Sequence, residues 1–86
     1  MNATGVGLKG RHLTILRGIA RGMQNAEIAQ EMYLGVETVR HYVKEIYQII
    51  GVRNRTEAAV YALKSGLVSL DELWELIHAL GAEDDV

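Results

Sequence analysis

Five polar residues, Glu37, Arg40, His41, Lys44 and Gln48, are spaced so that a helix, turning about 100° per residue, gathers them on one arc. Two cations, an imidazole and several hydrogen-bonding groups on one arc suit the recognition of nucleic acid. Arginine and lysine reach phosphates or the acceptors of guanine, and histidine can do either. On the opposite side, Val36, Val39, Val43, Ile46 and Ile50 follow alternating steps of three and four and form an apolar stripe. The segment from Val36 to Ile50 is therefore expected to be a helix locked to a core by one face and reading a partner with the other. An ordinary solvated face is the bland alternative for Arg40 and Lys44.

Residues for other chemistry are missing or scattered. The 86-residue chain has no cysteine, which removes disulfides and thiolate metal sites and fits a reducing compartment. His12, His41 and His78 lack the close, repeated spacing of metal ligands, so no metal is expected. No nucleophile beside a base and no phosphate-cradling glycine loop stands out, and the chain leaves little room for a closed pocket. The reading is of a protein that binds, not an enzyme, with no cofactor. The opening residues MNATGVGLKGR carry no signal peptide, and no apolar run approaches the ~20 residues that span a bilayer. No membrane association is expected, and the location is read as cytoplasmic.

A net charge of -2 argues against a polyanionic partner only if it is spread evenly. It is not. All nine basic residues precede Ser69 and give that part a net charge of +4, whereas the six acidic residues after it leave the tail at -6. The local field at a binding face decides the partner, so nucleic acid stays open.

The reading arc needs elements to hold it, and the sequence offers only helices: apolar residues recur at helical spacing, nothing alternates with period two, and proline is absent. A first helix is expected from Gly10 to Arg21, with Leu13, Leu16, Ile19 and Ala20 inward and Gly22 ending it. A short second helix from Asn25 to Met32 turns Ile28, Ala29 and Met32 inward; Gln24 or Asn25 caps it, asparagine being the better cap. Tyr33-Leu34-Gly35 then leads into the Val36 to Ile50 helix, which ends at Gly51. Thr56 is expected to cap a fourth helix from Glu57 to Ser65, with Ala59 and Leu63 toward the domain and Ala58, Tyr61 and Ala62 on an arc free for an oligomer. Ser69 and Glu72 form a capping-box pattern for a fifth helix carrying Leu70, Leu73, Trp74, Ile77 and Leu80 on one stripe. That stripe suits a lid over the core or, through its coiled-coil-like spacing, a dimer or docking surface. In the loop before the fourth helix, Arg53 and Arg55 are placed either to anchor phosphates or to pair with Glu57 or a helix end.

Two short helices joined by a three-residue turn, the second with a basic outer face, is the plan by which a helix enters the major groove. Here Glu27-Ile28-Ala29, Thr38-Val39-Arg40, Ile50-Gly51-Val52 and Arg55-Thr56-Glu57-Ala58 stand in the order and spacing of the LuxR/GerE family of bacterial regulators, which the chain resembles from Leu8 to about Val68. The resemblance implies an all-α, four-helix helix-turn-helix domain over residues 1–68, to which residues 69–86 add a C-terminal amphipathic helix and an acidic tail. It implies base-reading or adjacent phosphate positions for Arg40, His41 and Lys44, a phosphate near Thr38, and a backbone-facing place for Asn25. It also implies a homodimer formed through the last family helix on inverted-repeat promoter sites; the arc of the fourth helix offers Ala58, Tyr61 and Ala62 as candidate contacts, and the spacing of the fifth offers Leu73 and Ile77. The chain departs from the family pattern at His12 and Thr14, where acids are usual, at Gln24 and Gly35 in place of a hydroxyl cap, and at Tyr42 in place of a histidine. Ala26 and Ile49 stand where basic residues are common, which implies modest affinity for phosphate. No receiver or ligand-sensing segment is found, so the short stand-alone regulators of transcription are the expected architecture.

Two functions follow from these readings. One is sequence-specific binding of double-stranded DNA and regulation of transcription as a homodimer. The other is a protein-interaction module that keeps the helix-turn-helix scaffold and docks another regulator or RNA polymerase on the apolar surfaces of the fourth and fifth helices.

Overall fold

The computed structural model describes residues 7–79, and among them the side chains of residues 7–74. All regular structure in this range is helical: α1 (Gly10–Ala20), α2 (Asn25–Met32), α3 (Val36–Ile50), α4 (Arg55–Lys64) and α5 (Leu70–Ala79). Leu80 and the acidic residues Glu83, Asp84 and Asp85 lie outside the described residues.

α1 forms the centre of the packing, lying mainly against α4 and α3, while α2 packs on α3. Its buried residues are His12, Ile15, Leu16, Gly18 and Ile19. The inward arc is thus turned from the expected one: Ile15 is fully buried, and Leu13 and Ala20 are only half-buried. A helix held between two neighbours buries a wider arc than a single stripe of leucines suggests. Gly18 lies close to α2, where a methyl group in place of its hydrogen would stand 2.9 Å from Ile28 Cγ1.

The α2–turn–α3 unit matches the expected boundaries at both helices. The α2 cap, however, is Gln24, whose N–H donates to Glu27 Oε1 at 2.7 Å, and not Asn25. Tyr33 closes α2 in the left-handed region (φ 57°), so that the Leu34 N–H turns back to the Ala29 carbonyl at 2.9 Å. α3 buries Val39, Val43 and Ile46, keeps Val36 and Ile50 half-buried, and ends at Gly51, whose φ of +77° suits glycine.

The start of α4 differs from the sequence expectation. Asn54, not Thr56, is the cap: its Oδ1 accepts from the Glu57 N–H at 2.9 Å, and the helix begins two residues earlier, at Arg55. Its faces are also exchanged. Ala58 and Ala62 are fully buried in the chain's own core, while Ala59, Tyr61 and Leu63 are half-buried and Val60 is 48% exposed. Ala58 and Ala62 are therefore corrected from oligomer contacts to core residues. Two methyl side chains let α1 come close, which the larger Leu63 would prevent.

α5 opens with the expected capping box: the Glu72 N–H donates to Ser69 Oγ at 3.0 Å and the Ser69 N–H to Glu72 Oε2 at 3.3 Å. Buried Val68 precedes it, Arg17 Nε donates to the Leu67 carbonyl at 3.1 Å, and Arg21 pairs with Glu72. The lid expectation fails for two of its residues. Leu70 is 70% and Trp74 63% exposed, with Leu73 half-buried. The side chain of Ile77 is outside the described set.

Candidate nucleic-acid interface

Fifteen residues give α3 a length of about 22 Å, sufficient to lie along a major groove about 12 Å wide. With Val39 and Ile46 fully buried, the helix cannot roll about its axis without opening the core. Its outer arc is correspondingly fixed. Glu37, Arg40, His41 and Lys44 line one shallow surface depression, and Thr38 and Gln48 are exposed beside it.

Each residue of this arc has a different local state. Arg40 is paired through Nη1 with Glu37 Oε2 one turn earlier. Both side chains are exposed, and a surface pair of this kind holds the guanidinium only weakly, so a phosphate or a guanine edge can replace the carboxylate. Lys44 has no ion pair among the described residues and presents three donors outward. At the start of α3, Gly35 supplies no capping side chain, which leaves the first N–H groups turned outward at the positive end of the helix dipole, next to Thr38.

His41 is held differently. Its Nε2 lies 3.1 Å from Glu45 Oε2, and the other carboxylate oxygen, Oε1, lies 2.9 Å from Nε2 of His12 on α1. His12 is 6% exposed, and its Nδ1 accepts the Lys9 backbone N–H at 3.0 Å, closing the first turn of α1. The ring of Tyr42 meets His12 edge-on with centroids 5.5 Å apart, and Arg11 Nη1 donates to the Tyr42 hydroxyl at 3.0 Å. The hydrogen bond from His12, aided by the field of His41, holds the Glu45 carboxyl below the usual carboxylate range against the opposing effect of burial.

Asn25 and Arg55, thirty residues apart, meet at a second place. Arg55 Nη1 donates to Asn25 Oδ1 at 2.9 Å and Nη2 to the Met23 carbonyl, tying the first turn of α4 to the start of α2. Gly22, Met23 and Gln24 complete this depression. Beneath, burial raises the Tyr47 phenol above its ordinary value, with Arg55 acting the other way. Arg53 takes the pairing alternative: its Nη2 lies 3.5 Å from Glu57 Oε2, and its N–H donates to Glu57 Oε1 at 2.9 Å.

These two exposed places, on a helix-turn-helix pair, are accompanied by a match of the bacterial regulatory proteins of the luxR family to residues 7–62. The chain belongs to the luxR family. Among its relatives, the transcriptional regulatory protein LiaR of Bacillus subtilis is 41% identical over 59 residues, covering 69% of this chain and 28% of the relative. LnrK of the same organism is 35% identical over 57 residues (66% and 26%), and the DNA-binding transcriptional activator DevR/DosR of Mycobacterium tuberculosis is 38% identical over 56 residues (65% and 26%). The chain spans less than a third of the length of these relatives.

The departure expected at His12 has a physical explanation in this luxR-family domain: an acid at position 12 would face the Glu45 carboxylate, and histidine supplies the matching donor. Sequence reasoning assigns His12 no role. The signal was present, since His12 lies one turn from Ile15 and Leu16 and two from Ile19 on the inner arc of α1, where a polar side chain needs a partner. Among the described residues, no group of three or more metal-ligating side chains is found, and no helix is long and apolar enough to cross a membrane.

Proposed function

We propose that the chain binds double-stranded DNA sequence-specifically by laying α3 in the major groove, and regulates transcription in the cytoplasm as a homodimer reading two half-sites about one DNA turn apart. The observation that carries this reading is the fixed outer arc of α3, where Arg40, His41 and Lys44 are exposed together while Val39, Val43 and Ile46 lock the other face. Asn25, Thr38 and Arg55 take backbone roles: Thr38 beside the uncapped start of α3, and the Arg55–Asn25 pair at the start of the bracing helix. With Ala58 and Ala62 in the core, the pairing surface we propose is Tyr61, its exposed neighbour Val60, and Leu73 of α5.

Selection of bound duplexes from a random library at near-physiological salt tests this. An inverted repeat enriched by the wild-type chain and lost with Arg40→Ala/Lys44→Ala is expected; no enrichment by a folded chain refutes it. Arg40→Ala alone should relax one base position at a cost of about 1–3 kcal/mol, and binding should weaken with salt as counterions are released.

A second reading, docking of another regulator or RNA polymerase, is favoured by the exposure of Leu70 and Trp74 on α5. On that reading, Arg40→Ala/Lys44→Ala leaves regulation intact and Leu70→Asp abolishes it.

A further inference from the structure

The Lys9–His12–Glu45 hydrogen bonds continue into a Glu45–His41 ion pair that ends on the reading arc, and the donor and acceptor roles follow from the buried end outward. The Lys9 backbone N–H is a donor, so His12 Nδ1 must accept. The His12 proton therefore sits on Nε2 and is donated to Glu45 Oε1. An ionised carboxylate only accepts, so the contact of Oε2 with His41 Nε2, 3.1 Å away, favours the tautomer with the proton on Nε2. In a neutral His41 the remaining nitrogen, Nδ1, then carries a lone pair and no proton. Glu45 is half-buried and anchored from α1, whereas the His41 side chain is 69% exposed, so the carboxylate orients the imidazole and not the reverse.

We propose that His12 and Glu45 are positioning residues that fix His41 as a hydrogen-bond acceptor toward the groove, selecting a base that offers an exocyclic amine there, adenine N6 or cytosine N4. This rests on the reading that α3 lies in the major groove, where those amines are the available donors. Guanine O6 and N7 and thymine O4 are acceptors and meet the Nδ1 lone pair unfavourably. Arg40 and Lys44, which only donate, take the complementary acceptors, so the arc reads both kinds of group. Exclusion of water at a docked groove makes the tautomer matter more than it does on the free surface.

The test uses the full chain at about pH 8, above the ordinary histidine range. E45Q keeps the shape but not the roles. Its carbonyl must still face the His12 Nε2–H, which turns the amide donor toward His41 Nε2 and moves the imidazole proton to Nδ1. Nitrogen-15 shifts of the free protein should show His41 protonated on Nε2 in the wild type and on Nδ1 in E45Q. Across duplexes differing at one base pair, preference should move by roughly tenfold from an amine-bearing base to guanine or thymine, the scale of one hydrogen bond gained or lost. In H12F/E45Q the amide is free to turn, so both the wild-type tautomer and the wild-type preference should return; a merely structural role for His12 does not produce that reversal. H41A should lose the preference at this pair alone.

A wild-type His41 protonated on Nδ1, or an E45Q base preference equal to the wild type's, overturns the proposal. If R40A still relaxes specificity in that case, groove reading stands and only the relay fails. If R40A, K44A and H41A all bind every duplex as the wild type does, groove reading itself fails.

Discussion

Gly18 gives two opposing effects that can be weighed from the structure. In Gly18→Ala the new methyl would meet Ile28 Cγ1 at 2.9 Å, Ile28 Cδ1 at 3.0 Å and Met23 Sδ at 3.5 Å, whereas carbon atoms prefer about 3.5–4.0 Å. Ile28 is 2% exposed and β-branched, so it cannot swing aside without disturbing the core. Overpacking of this kind costs about 1–3 kcal/mol. Against it stands the better helix propensity of alanine, worth about 0.8–1.0 kcal/mol in a helix interior. The cost prevails by about 1 kcal/mol, equivalent to a fall of about 4–8 °C in melting temperature for a domain of this size. Urea titration followed by circular dichroism should show a lower midpoint with an unchanged slope. Gly10→Ala is the control, because nothing lies within 4 Å of its added methyl; it should be neutral or slightly stabilising. A Gly18→Ala chain as stable as the wild type would refute the claim that α1 and α2 are in close contact there.

Three further outcomes are expected. Asn54→Ala should cost about 1 kcal/mol in urea titration by removing the α4 cap, while Thr56→Ala should change little. Tyr33→Gly should stabilise by up to about 1 kcal/mol, since relief of a left-handed φ worth about 1–2 kcal/mol outweighs the entropy that glycine adds to the unfolded chain. The Arg21 hydrogen bond to Glu72, like the His12 bond to Glu45, holds a carboxyl below its ordinary value. The stability each contributes is present above the unfolded carboxylate value of about 4.3 and is lost as pH falls through the lower folded values. Melting temperatures measured from neutral pH downward should therefore fall in that acid window, and less steeply in Glu72→Gln.

Local signals in the sequence sufficed where one side chain or one period determines the structure. The stripe of α3, its end at Gly51 and the Ser69–Glu72 box are of this kind, and so is the exposure of Arg40, His41 and Lys44. The sequence misled where two residues competed for one role. Asn54 took the α4 cap from Thr56, and Gln24 took the α2 cap because Asn25 is held by Arg55, a partner thirty residues away. The inward face of α4 was reversed because alanine carries no preference of its own; how closely α1 approaches decides it. The polar chain from Lys9 to His41 needs α1 and α3 side by side, and no periodicity within either helix encodes that pairing.

The exposed place of Trp74 has a spectroscopic consequence. It is the only tryptophan in the sequence, and it lies on α5, outside the helix-turn-helix pair and outside the buried cluster. Intrinsic tryptophan emission therefore reports the surroundings of the fifth helix and not the melting of the core, which circular dichroism follows instead. Separation of the two unfolding curves marks detachment of α5 before the four-helix body gives way. An emission shift to the blue on raising the protein concentration marks burial of that helix against a second molecule, whereas entry of α3 into a DNA groove leaves the emission unchanged unless α5 moves as well.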